Sequence, residues 1–376
     1  MLTQIKQQES SDIRNLRLER QLWHDPALRT RSLGCGQCPE RGLCGGIEIR
    51  RPIFDCLDLC CGQPSRCDRV CRNHPEYAGH IREITTFALD DIPRSDPLAG
   101  PVLPRVIPML FHGSSRCLTA ASNTIAIPLA RMFNRRDGSA RHYSHESLCT
   151  AYGVNPGSLI VLSGTDHDAP LERWWGFGEP KRRELIRILR LIGVAFTTTP
   201  NYSLFIDAPR WDDMHAMKRI AIVHHEFLSE GLPAALHVNG RTHTDFRRWT
   251  EFVADRPEIT HVAYEFTTGT AWAGRQDLHT EWLCGLAAGV GRPLSLVLRG
   301  GIDVLPKLAR AFGTVTLLDT SSFIKTMMRQ RASLNGRLDW VSAPTEAGAP
   351  IDELFAENMQ AVQKWIGNVL DFEPRR

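Results

Sequence analysis

Eight cysteines are concentrated between residues 35 and 71, at spacings that suit metal coordination. The first two form a C-x2-C turn in CGQCPERGLC, and most of the others follow in CLDLCCGQPSRCDRVC. Short loops of this kind can bring thiolates around one ion or cluster without the support of a large core. The candidate ligands are Cys35, Cys38, Cys44, Cys56, Cys60, Cys61, Cys67 and Cys71.

The chemistry of the thiols indicates metal binding and leaves two candidates open, zinc and an iron–sulfur cluster. Thiols stay reduced in the cytosol, so crowded cysteines there indicate metal binding rather than disulfides. Eight thiolates suffice for two tetrahedral zinc ions, whereas an iron–sulfur cluster would use four of them. A structural role is favoured over a redox role, because a bound metal supplies folding energy to so small a segment. We therefore predict a Cys-rich metal-binding module at 35–92.

Asp319 is the second candidate for chemistry, because it directly follows the apolar strand-like run 315–318. The segment from Leu294 reads as strand, helix and strand, with Gly300 and Gly301 closing the first strand. In parallel α/β folds, ligands and catalytic groups collect at the carboxyl ends of the strands. The alternative is that the Asp319 side chain caps the turn that follows.

The elements that must position these residues repeat through most of the chain. Amphipathic stretches such as 181–191, 212–228, 244–253 and 280–288 alternate with short apolar runs. This alternation predicts an α/β fold, a (β/α)8 TIM-like barrel at 104–330. An open doubly wound sheet is the competing fold, but no G-x-G-x-x-G turn follows any strand. The predicted strands are 105–111, 123–128, 158–163, 193–198, 234–239, 260–266, 293–298 and 315–319.

Two flanking segments complete the predicted organisation. Residues 1–34 carry a weak apolar stripe that indicates an N-terminal helical segment. Residues 331–376 hold a strand-like LDWV and a final helix around Asp352 to Ile366. We expect this C-terminal extension to pack on the barrel.

Composition and charge set limits on partners and location. The chain has 376 residues, 42% hydrophobic and 23% charged, with a net charge of +3, which does not by itself indicate a nucleic-acid partner. The local basic clusters at 131–141 and 181–183 are more often solvated faces than phosphate sites. No stretch approaches the ~20 apolar residues needed to cross a bilayer, and the N terminus lacks a signal-peptide core. A cytoplasmic protein with no membrane partner is therefore expected.

Three segments have the order and spacing of motifs from one enzyme superfamily. They are VLSGTDHD (161–168), VNGRTHTDFRRWTEF (238–252) and LRGGIDVLPKLARAFGTVTLLDTSSFIKTMMRQ (298–330). In these, the chain from about 104 to 330 resembles the tRNA-guanine transglycosylase (TGT) superfamily. That superfamily includes the DNA 7-deazaguanine transglycosylases and a TGT-like accessory protein of type IV CBASS antiphage operons. The resemblance implies a TIM-like barrel and a homodimer.

The resemblance also assigns roles to individual residues. It places Asp319 on the family's nucleophilic aspartate, Asn239 on its base-reading glutamine and Asp245 on a scaffold aspartate. Ser163 and Gly164 fit the family's DSGGFQ motif, whose aspartate is the general base. Since that acid is displaced here, Asp166 or Asp168 would have to replace it, with His167 a third candidate.

Other residues depart from the family pattern where the base is recognised. Thr197 stands where the family has its base-recognising aspartate, and Glu265 stands where it has glycine. Glu265 could accept a hydrogen bond from an exocyclic amino group, and Tyr202 could stack on the base. Asp207, at the mouth of the fourth strand, could supply the missing carboxylate.

Each of these residues also has a structural interpretation. Asn239 would be a turn residue before Gly240, Tyr202 a core residue, and Asp207 a turn residue before Pro209. Glu265 would form a salt bridge with Arg275 or Arg299.

The family's C-x-C-x2-C zinc motif after the barrel and its RNA-binding C-terminal domain are missing from the sequence, which argues against a housekeeping tRNA enzyme.

The resemblance implies base exchange through a covalent aspartyl intermediate. A carboxylate attacks C1′ as the old base leaves, and the incoming base, here a 7-deazaguanine, displaces the enzyme. The acceptor would be DNA or another macromolecule in a bacterial modification or antiphage defence system. Two alternatives stay open: a CBASS TGT-like protein acting on a deazaguanine-modified protein, and a catalytically silent barrel that binds a deazaguanine-bearing partner. A less favoured third is a metal-dependent nuclease or hydrolase with Asp166, His167 and Asp168 as ligands.

Overall fold

A ring of parallel strands dominates the computed structural model, which describes residues 83–204, 210–267, 273–346 and 348–371. Within these residues, eight strands run parallel in the order β1-β8-β7-β6-β5-β4-β3-β2. A parallel bridge between Met109 and Ala126 joins the two end strands, so the ring closes into a (β/α)8 barrel. The strands are β1 (Val106–Pro108), β2 (Thr124–Pro128), β3 (Leu159–Ser163), β4 (Val194–Thr198), β5 (Ala234–His237), β6 (His261–Glu265), β7 (Ser295–Arg299) and β8 (Thr314–Asp319).

The predicted (β/α)8 barrel is therefore confirmed, and each predicted strand overlaps an observed one. The first is shorter than predicted, since it spans three residues and ends at Pro108. The eight candidate metal-ligand cysteines and the N-terminal helical segment lie outside the described residues. Part of the region assigned to the Cys-rich module, 83–92, packs on the barrel: the carbonyl oxygen of Phe87 accepts from Arg248 at 2.7 Å, and that of Ile92 accepts from Arg256 at 2.6 Å.

Helices alternate with the strands and form the outer layer. They are α1 (His145–Tyr152), α2 (Asp168–Gly176), α3 (Glu179–Leu191), α4 (Arg210–Ser229), α5 (His243–Ala254), α6 (Ala273–Val290), α7 (Leu305–Ala311), α8 (Ser321–Met327) and α9 (Asp352–Asp371). Two 3₁₀ helices, Leu129–Arg131 and Ile302–Val304, follow β2 and β7. A hairpin of β9 (Gln330–Leu334) and β10 (Leu338–Ser342) precedes α9.

Side-chain alternation along the strands separates an inner core from an outer one. Each strand or its immediate continuation sends small and medium apolar residues into one central cluster, whereas their sequence neighbours pack against the helices. The central cluster consists of Ile107, Met109, Ala126, Val161, Phe196, Ala235, Ala263, Val297 and Leu318. The strand residue two positions beyond an inner residue therefore faces the mouth of the barrel at its carboxyl end.

Polar contacts fix the helix layer and the C-terminal extension. Arg182 of α3 and Glu226 of α4, only 3% and 1% exposed, form a two-point ion pair at 2.8 and 2.6 Å. Removing either partner would leave a buried charge without its counter-ion. The amide of Asn358 in α9 donates to Thr326 of α8 at 2.8 Å and accepts from the N–H of Ala332 in β9 at 2.7 Å. No helix among the described residues is long and apolar enough to cross a bilayer.

Gly164, directly after β3, is the tightest backbone position at the mouth. A Cβ added there would lie 2.2 Å from the carbonyl oxygen of Thr199, while the N–H of Gly164 donates to Thr198 at 2.8 Å. We expect Gly164→Ala to cost about 3 kcal/mol or more, because neighbouring backbone must move. Urea unfolding followed by tryptophan fluorescence measures this cost.

The matched control for that substitution is Gly285→Ala, in the exposed middle of α6. A Cβ there meets no atom within 4 Å, so we expect stabilisation of about 0.5–1 kcal/mol. Equal unfolding free energies for the two variants would contradict the close approach at Gly164.

Candidate functional site

A cavity of about 490 Å³ opens at the carboxyl ends of the strands, where (β/α)8 barrels bind their ligands. We call it the mouth cavity. Residues from the ends of seven strands or from the connections after them line it, and β8 contributes none of them. The lining residues are Phe111, Pro128, Arg131, Arg135, Thr165, Asp166, His167, Asp168, Asn201, Ser203, Asn239, Arg241, Tyr264, Glu265, Thr267 and Arg299.

A row of polar side chains crosses the mouth cavity from β5 to β6. The Asn239 amide donates to Asn201 Oδ1 at 2.9 Å and to the carbonyl oxygen of Tyr202 at 3.1 Å. Asn201 in turn donates to Glu265 Oε2 at 3.4 Å, and the Thr267 hydroxyl donates to Glu265 Oε1. This Asn239–Asn201–Glu265 row presents amide donors and acceptors next to a carboxylate acceptor, the combination that reads the edge of a heterocycle.

The turn between β5 and α5 holds Asn239 in place. Thr242 and Asp245 form a capping box, and the Asp245 carboxylate also accepts from the Arg241 N–H at 2.7 Å. The indole N–H of Trp249 in α5 donates to the Asn239 carbonyl oxygen at 2.7 Å. Asp245 is fully buried, so it acts on the turn rather than on a ligand.

The acids of the β3–α2 connection face the same cavity. Asp166 accepts from the N–H of His167 at 2.8 Å, and Asp168, the first residue of α2, accepts from the Ser203 hydroxyl at 2.5 Å. Arg299 at the end of β7 donates to the carbonyl oxygen of Thr165 at 3.0 Å, which ties this connection to the opposite side of the barrel. Both candidate general bases are therefore in the mouth cavity with the polar row.

Arg299 sets the charge balance at the centre of the cavity. In the strand register it lies beside Glu265. Burial lowers the pKa of the Arg299 guanidinium, and the negative charges of Glu265 and Asp166 act in the opposite direction. With Arg131, Arg135 and Arg241 also in the lining, the cavity presents both signs of charge. A bound molecule with a polar edge and an anionic group matches that distribution.

His237, the last residue of β5, lies beneath the cavity. Its Nδ1 is 2.6 Å from the carbonyl oxygen of Thr199, and its Nε2 is 3.4 Å from the Thr165 hydroxyl. Burial lowers the pKa of His237 to about 4, with the hydrogen bond to Thr199 opposing the shift. The ring is therefore neutral at physiological pH and supports the β3–α2 connection as a hydrogen-bonding group.

Asp319 is placed differently from the other candidate acids. Leu318 belongs to the inner cluster, so Asp319 faces the helix layer and does not line the mouth cavity. Its Oδ1 accepts from the N–H groups of Ser321 and Ser322 at 2.8 and 3.1 Å, and its Oδ2 accepts from the Ser322 hydroxyl. It is 4% exposed, and burial raises the pKa of its carboxyl against the effect of these bonds. In this arrangement Asp319 caps the start of α8.

The remaining predicted site residues either do not line the mouth cavity or lie outside the described residues. Thr197 and Ser163 are buried at the ends of β4 and β3, and Gly164 makes the close approach described above. Tyr202 is fully buried, with the Arg219 guanidinium 4.1 Å from its ring centroid, and burial raises the pKa of its hydroxyl. Asp207 lies outside the described residues.

Sequence reasoning did not select Asn201, Arg299 or His237 as site residues. His237 and Arg299 carried a readable signal, because each ends a strand on the inward-facing alternation, whereas Asn201 lies in the connection after β4 and off that alternation. Arg299 is two residues beyond the inner Val297, as Glu265 is two beyond the inner Ala263. The same rule, applied to the sequence, would have separated Arg299 from Asp319.

The described residues contain no group of three or more His, Cys, Asp or Glu side chains placed to hold a metal ion. Asp166, His167 and Asp168 are neighbours in the chain, but they do not form such a group. The residues predicted to hold zinc or an iron–sulfur cluster are the eight cysteines between 35 and 71, outside the described ranges.

Comparison with known proteins gives no assignment of family. No family model matches the chain, and no curated protein matches it. Among solved structures, it is similar to a "putative lyase/mutase" from Burkholderia cenocepacia at 15% identity and a TM-score of 0.35. That similarity covers 66% of this chain and 88% of the other. Structural similarity this low does not support inference of function.

Buried histidines make stability depend on pH. Burial lowers the pKa of His224 and His237 from 6.5 to about 4. The unfolded chain therefore binds protons below pH 6.5 that the folded chain does not, and stability falls as pH drops from 6.5 towards 4. We expect each histidine to contribute a slope of up to about 1.4 kcal/mol per pH unit in urea unfolding between pH 7.5 and 5.

His237→Asn isolates one of these contributions, because an asparagine amide can still donate to the Thr199 carbonyl oxygen. The slope of the unfolding free energy against pH should fall by the contribution of one histidine, up to about 1.4 kcal/mol per pH unit. His243→Asn, at an exposed position on α5, serves as the control for the substitution itself. If the slope in His237→Asn equalled that of the wild type, proton binding by His237 would not differ between the folded and the unfolded chain.

Proposed function

We propose that the mouth cavity binds a 7-deazaguanine-type base and that the chain performs TGT-like base exchange on DNA or another macromolecule. The observation that carries the proposal is the position of Asn239. The resemblance aligns it with a base-reading residue, and it lies in the mouth cavity, hydrogen-bonded to Asn201 in the row that ends at Glu265. The presence of Asn239 in the cavity lining supports this alignment.

The polar row suits the edge of a deazapurine. A guanine-like edge carries a ring N–H and an exocyclic amino group as donors and a carbonyl oxygen as acceptor. Glu265 and the Asn239 amide oxygen can accept from the donors, and the remaining N–H of the Asn201 amide can donate to the carbonyl oxygen. The family recognises the base with an aspartate at the position of Thr197. That carboxylate is missing here, and Glu265 supplies one from β6 instead.

Base exchange also needs a proton carrier and a nucleophile. Asp166 and Asp168 line the cavity and can move a proton to and from the ring of the leaving or entering base. Asp319 would form the bond to C1′ as the bond to the old base breaks, and the new base would then displace the carboxylate. For this attack Asp319 must leave its bonds to Ser321 and Ser322 and turn towards the mouth.

A silent binding barrel is the second candidate function, and the geometry of Asp319 favours it. A carboxylate that faces the helices and caps α8 stabilises the fold without any contact with a ligand. In that case the mouth cavity would hold a deazaguanine group carried by a partner, and no bond would be made or broken. A deazaguanine-modified protein, as in a CBASS operon, is the partner that this version suits.

The first test compares Asp319→Asn with the wild type in a base-exchange assay. Asparagine keeps the acceptor for the two N–H groups, and its amide can donate to the Ser322 hydroxyl, so the variant should fold. Labelled 7-deazaguanine bases are incubated with duplex DNA, tRNA and proteins encoded beside the gene, and incorporation is followed by intact mass and nucleoside analysis. We expect incorporation by the wild type and by Asp90→Asn, an exposed control, and none by Asp319→Asn.

One result separates the two candidates, and a second tests the base binding that both require. Base binding without incorporation on any acceptor, in a folded and metal-loaded wild type, would establish the silent barrel. Asn239→Ala should weaken base binding about tenfold in calorimetry, the equivalent of one hydrogen bond of about 1.4 kcal/mol. Unchanged affinity in Asn239→Ala would remove the support for both candidates.

A further inference from the structure

The two amides of the Asn239–Asn201–Glu265 row have orientations that their partners dictate. The carbonyl oxygen of Tyr202 can only accept a hydrogen bond, so the Asn239 atom that lies 3.1 Å from it is the amide nitrogen. The second hydrogen of this nitrogen goes to Asn201 Oδ1 at 2.9 Å. Since the Asn201 oxygen is used in this way, Asn201 turns its own nitrogen to Glu265 Oε2 at 3.4 Å.

The opposite orientation of the amides would break the row at both ends. The Asn239 oxygen would face the carbonyl oxygen of Tyr202, so two acceptors would meet without a hydrogen between them. The Asn201 oxygen would likewise face the carboxylate of Glu265. In addition, the backbone N–H of Asn201 donates to the carbonyl oxygen of Gly164 at 3.0 Å, which holds the residue at the end of β3. The row therefore has one hydrogen-bond direction, from Asn239 to Glu265.

This direction determines what each side chain can still offer a ligand. Both amide hydrogens of Asn239 are used, so its Oδ1, an acceptor, is what remains. That oxygen has no hydrogen-bond partner among the described residues, and it is not enclosed. Asn201 keeps one N–H, because its bond to Glu265 uses the other. Both asparagines are half-buried and line the mouth cavity, so the row presents an acceptor, a donor and a carboxylate in that order.

The periphery of a 7-deazaguanine has the complementary order. Its carbonyl oxygen lies between the substituent at position 7 on one side and the ring N–H on the other, and the exocyclic amino group follows that N–H. Glu265 can accept from these two neighbouring donors, because a carboxylate has an oxygen for each. Asn201 then meets the carbonyl oxygen as a donor, and Asn239 meets the substituent at position 7 as an acceptor.

We propose that the mouth cavity selects a 7-deazaguanine whose substituent at position 7 carries an N–H donor. Asn239 reads this donor, and Asn201 reads the carbonyl oxygen of the ring. The inference rests on the proposed function and narrows its substrate. A carboxamide meets the requirement, whereas a nitrile brings an acceptor against the Asn239 oxygen. That mismatch costs affinity, because neither acceptor regains the hydrogen bond that it made with water.

The selectivity depends on a backbone group beneath the row. An amide that could rotate would accept a nitrile as readily as an N–H donor, since rotation exchanges its oxygen for its nitrogen. The Tyr202 carbonyl oxygen prevents this, although Tyr202 does not line the cavity. Its segment is bonded further along, where the Leu204 carbonyl oxygen accepts from Arg241 Nε at 2.6 Å. The Ser203 hydroxyl also donates to Asp168 at 2.5 Å. The direction of the row is therefore set by a fixed part of the barrel.

The test compares two neutral bases that differ in the substituent alone, 7-carboxamido-7-deazaguanine and 7-cyano-7-deazaguanine. Their affinities for the whole chain are measured by calorimetry. We expect the wild type to bind the carboxamide about tenfold more tightly, the effect of about one hydrogen bond. Asn239→Ala should bring the ratio of the two affinities to about one, because the acceptor is gone. If Asn239 only supported the shape of the site, the variant would weaken both bases alike and keep the ratio.

Asn201→Ala serves as the second variant. It removes the donor to the ring carbonyl oxygen, which both bases share, so both should bind about tenfold more weakly while their ratio is kept. Asn368→Ala is the matched control, at an exposed position on α9. The end of that helix lies away from the mouth, since Asp371 pairs with Arg105 just before β1. It should bind both bases as the wild type does, and thermal unfolding checks the fold of each variant.

Equal affinities of the wild type for the two bases would overturn the inference and leave base binding itself standing. A ratio that stays at its wild-type value in Asn239→Ala would do the same, because the acceptor would then lie elsewhere. Binding of neither base by the folded wild type would contradict the proposed function and the inference with it.

Discussion

The closure of the strand ring at β1 is the constraint on which the rest of the structure depends. β1 is three residues long, and Pro108 within it has no N–H to donate. The seam therefore relies on a few backbone bonds, in which Met109 donates to the Asp319 carbonyl oxygen at 2.9 Å and Leu110 to that of Ala126 at 2.8 Å. Only a closed ring brings the carboxyl ends of distant strands together, so the mouth cavity exists because this short seam holds.

Ring closure also explains the two environments of the candidate acids. Strand residues alternate between the barrel interior and the helix layer, so the side chains of neighbouring residues at a strand end face opposite sides of the sheet. Glu265 continues the interior row and reaches the cavity, whereas Asp319 continues the outer row and bonds to the first turn of α8. Burial raises the pKa of the Asp319 carboxyl, whereas Glu265 has the Arg299 cation beside it in the strand register.

Much of the fold could be read from the sequence, because its signals are local. Each strand is a short apolar run between helical patterns, and the eight runs fall where the strands are. The site residues were harder to predict. The sequence shows which residues end a strand, but whether such a side chain faces the barrel interior or the helices depends on the strand register. Asp166, Asp168, Asn239 and Glu265, which were selected from the sequence, all line the mouth cavity. Arg299 was passed over, although the alternation that directs it inward is present in the sequence; Asn201 lies in the connection after β4, off that alternation.

Phe111 and Arg131 line both the mouth cavity and a neighbouring cavity of about 680 Å³ that also receives His112 and Arg141. An occupant of one cavity that ordered these two side chains would change the surface offered in the other. Such coupling would be reciprocal: whatever factor one occupant applied to the affinity of the second, the second would apply to the first.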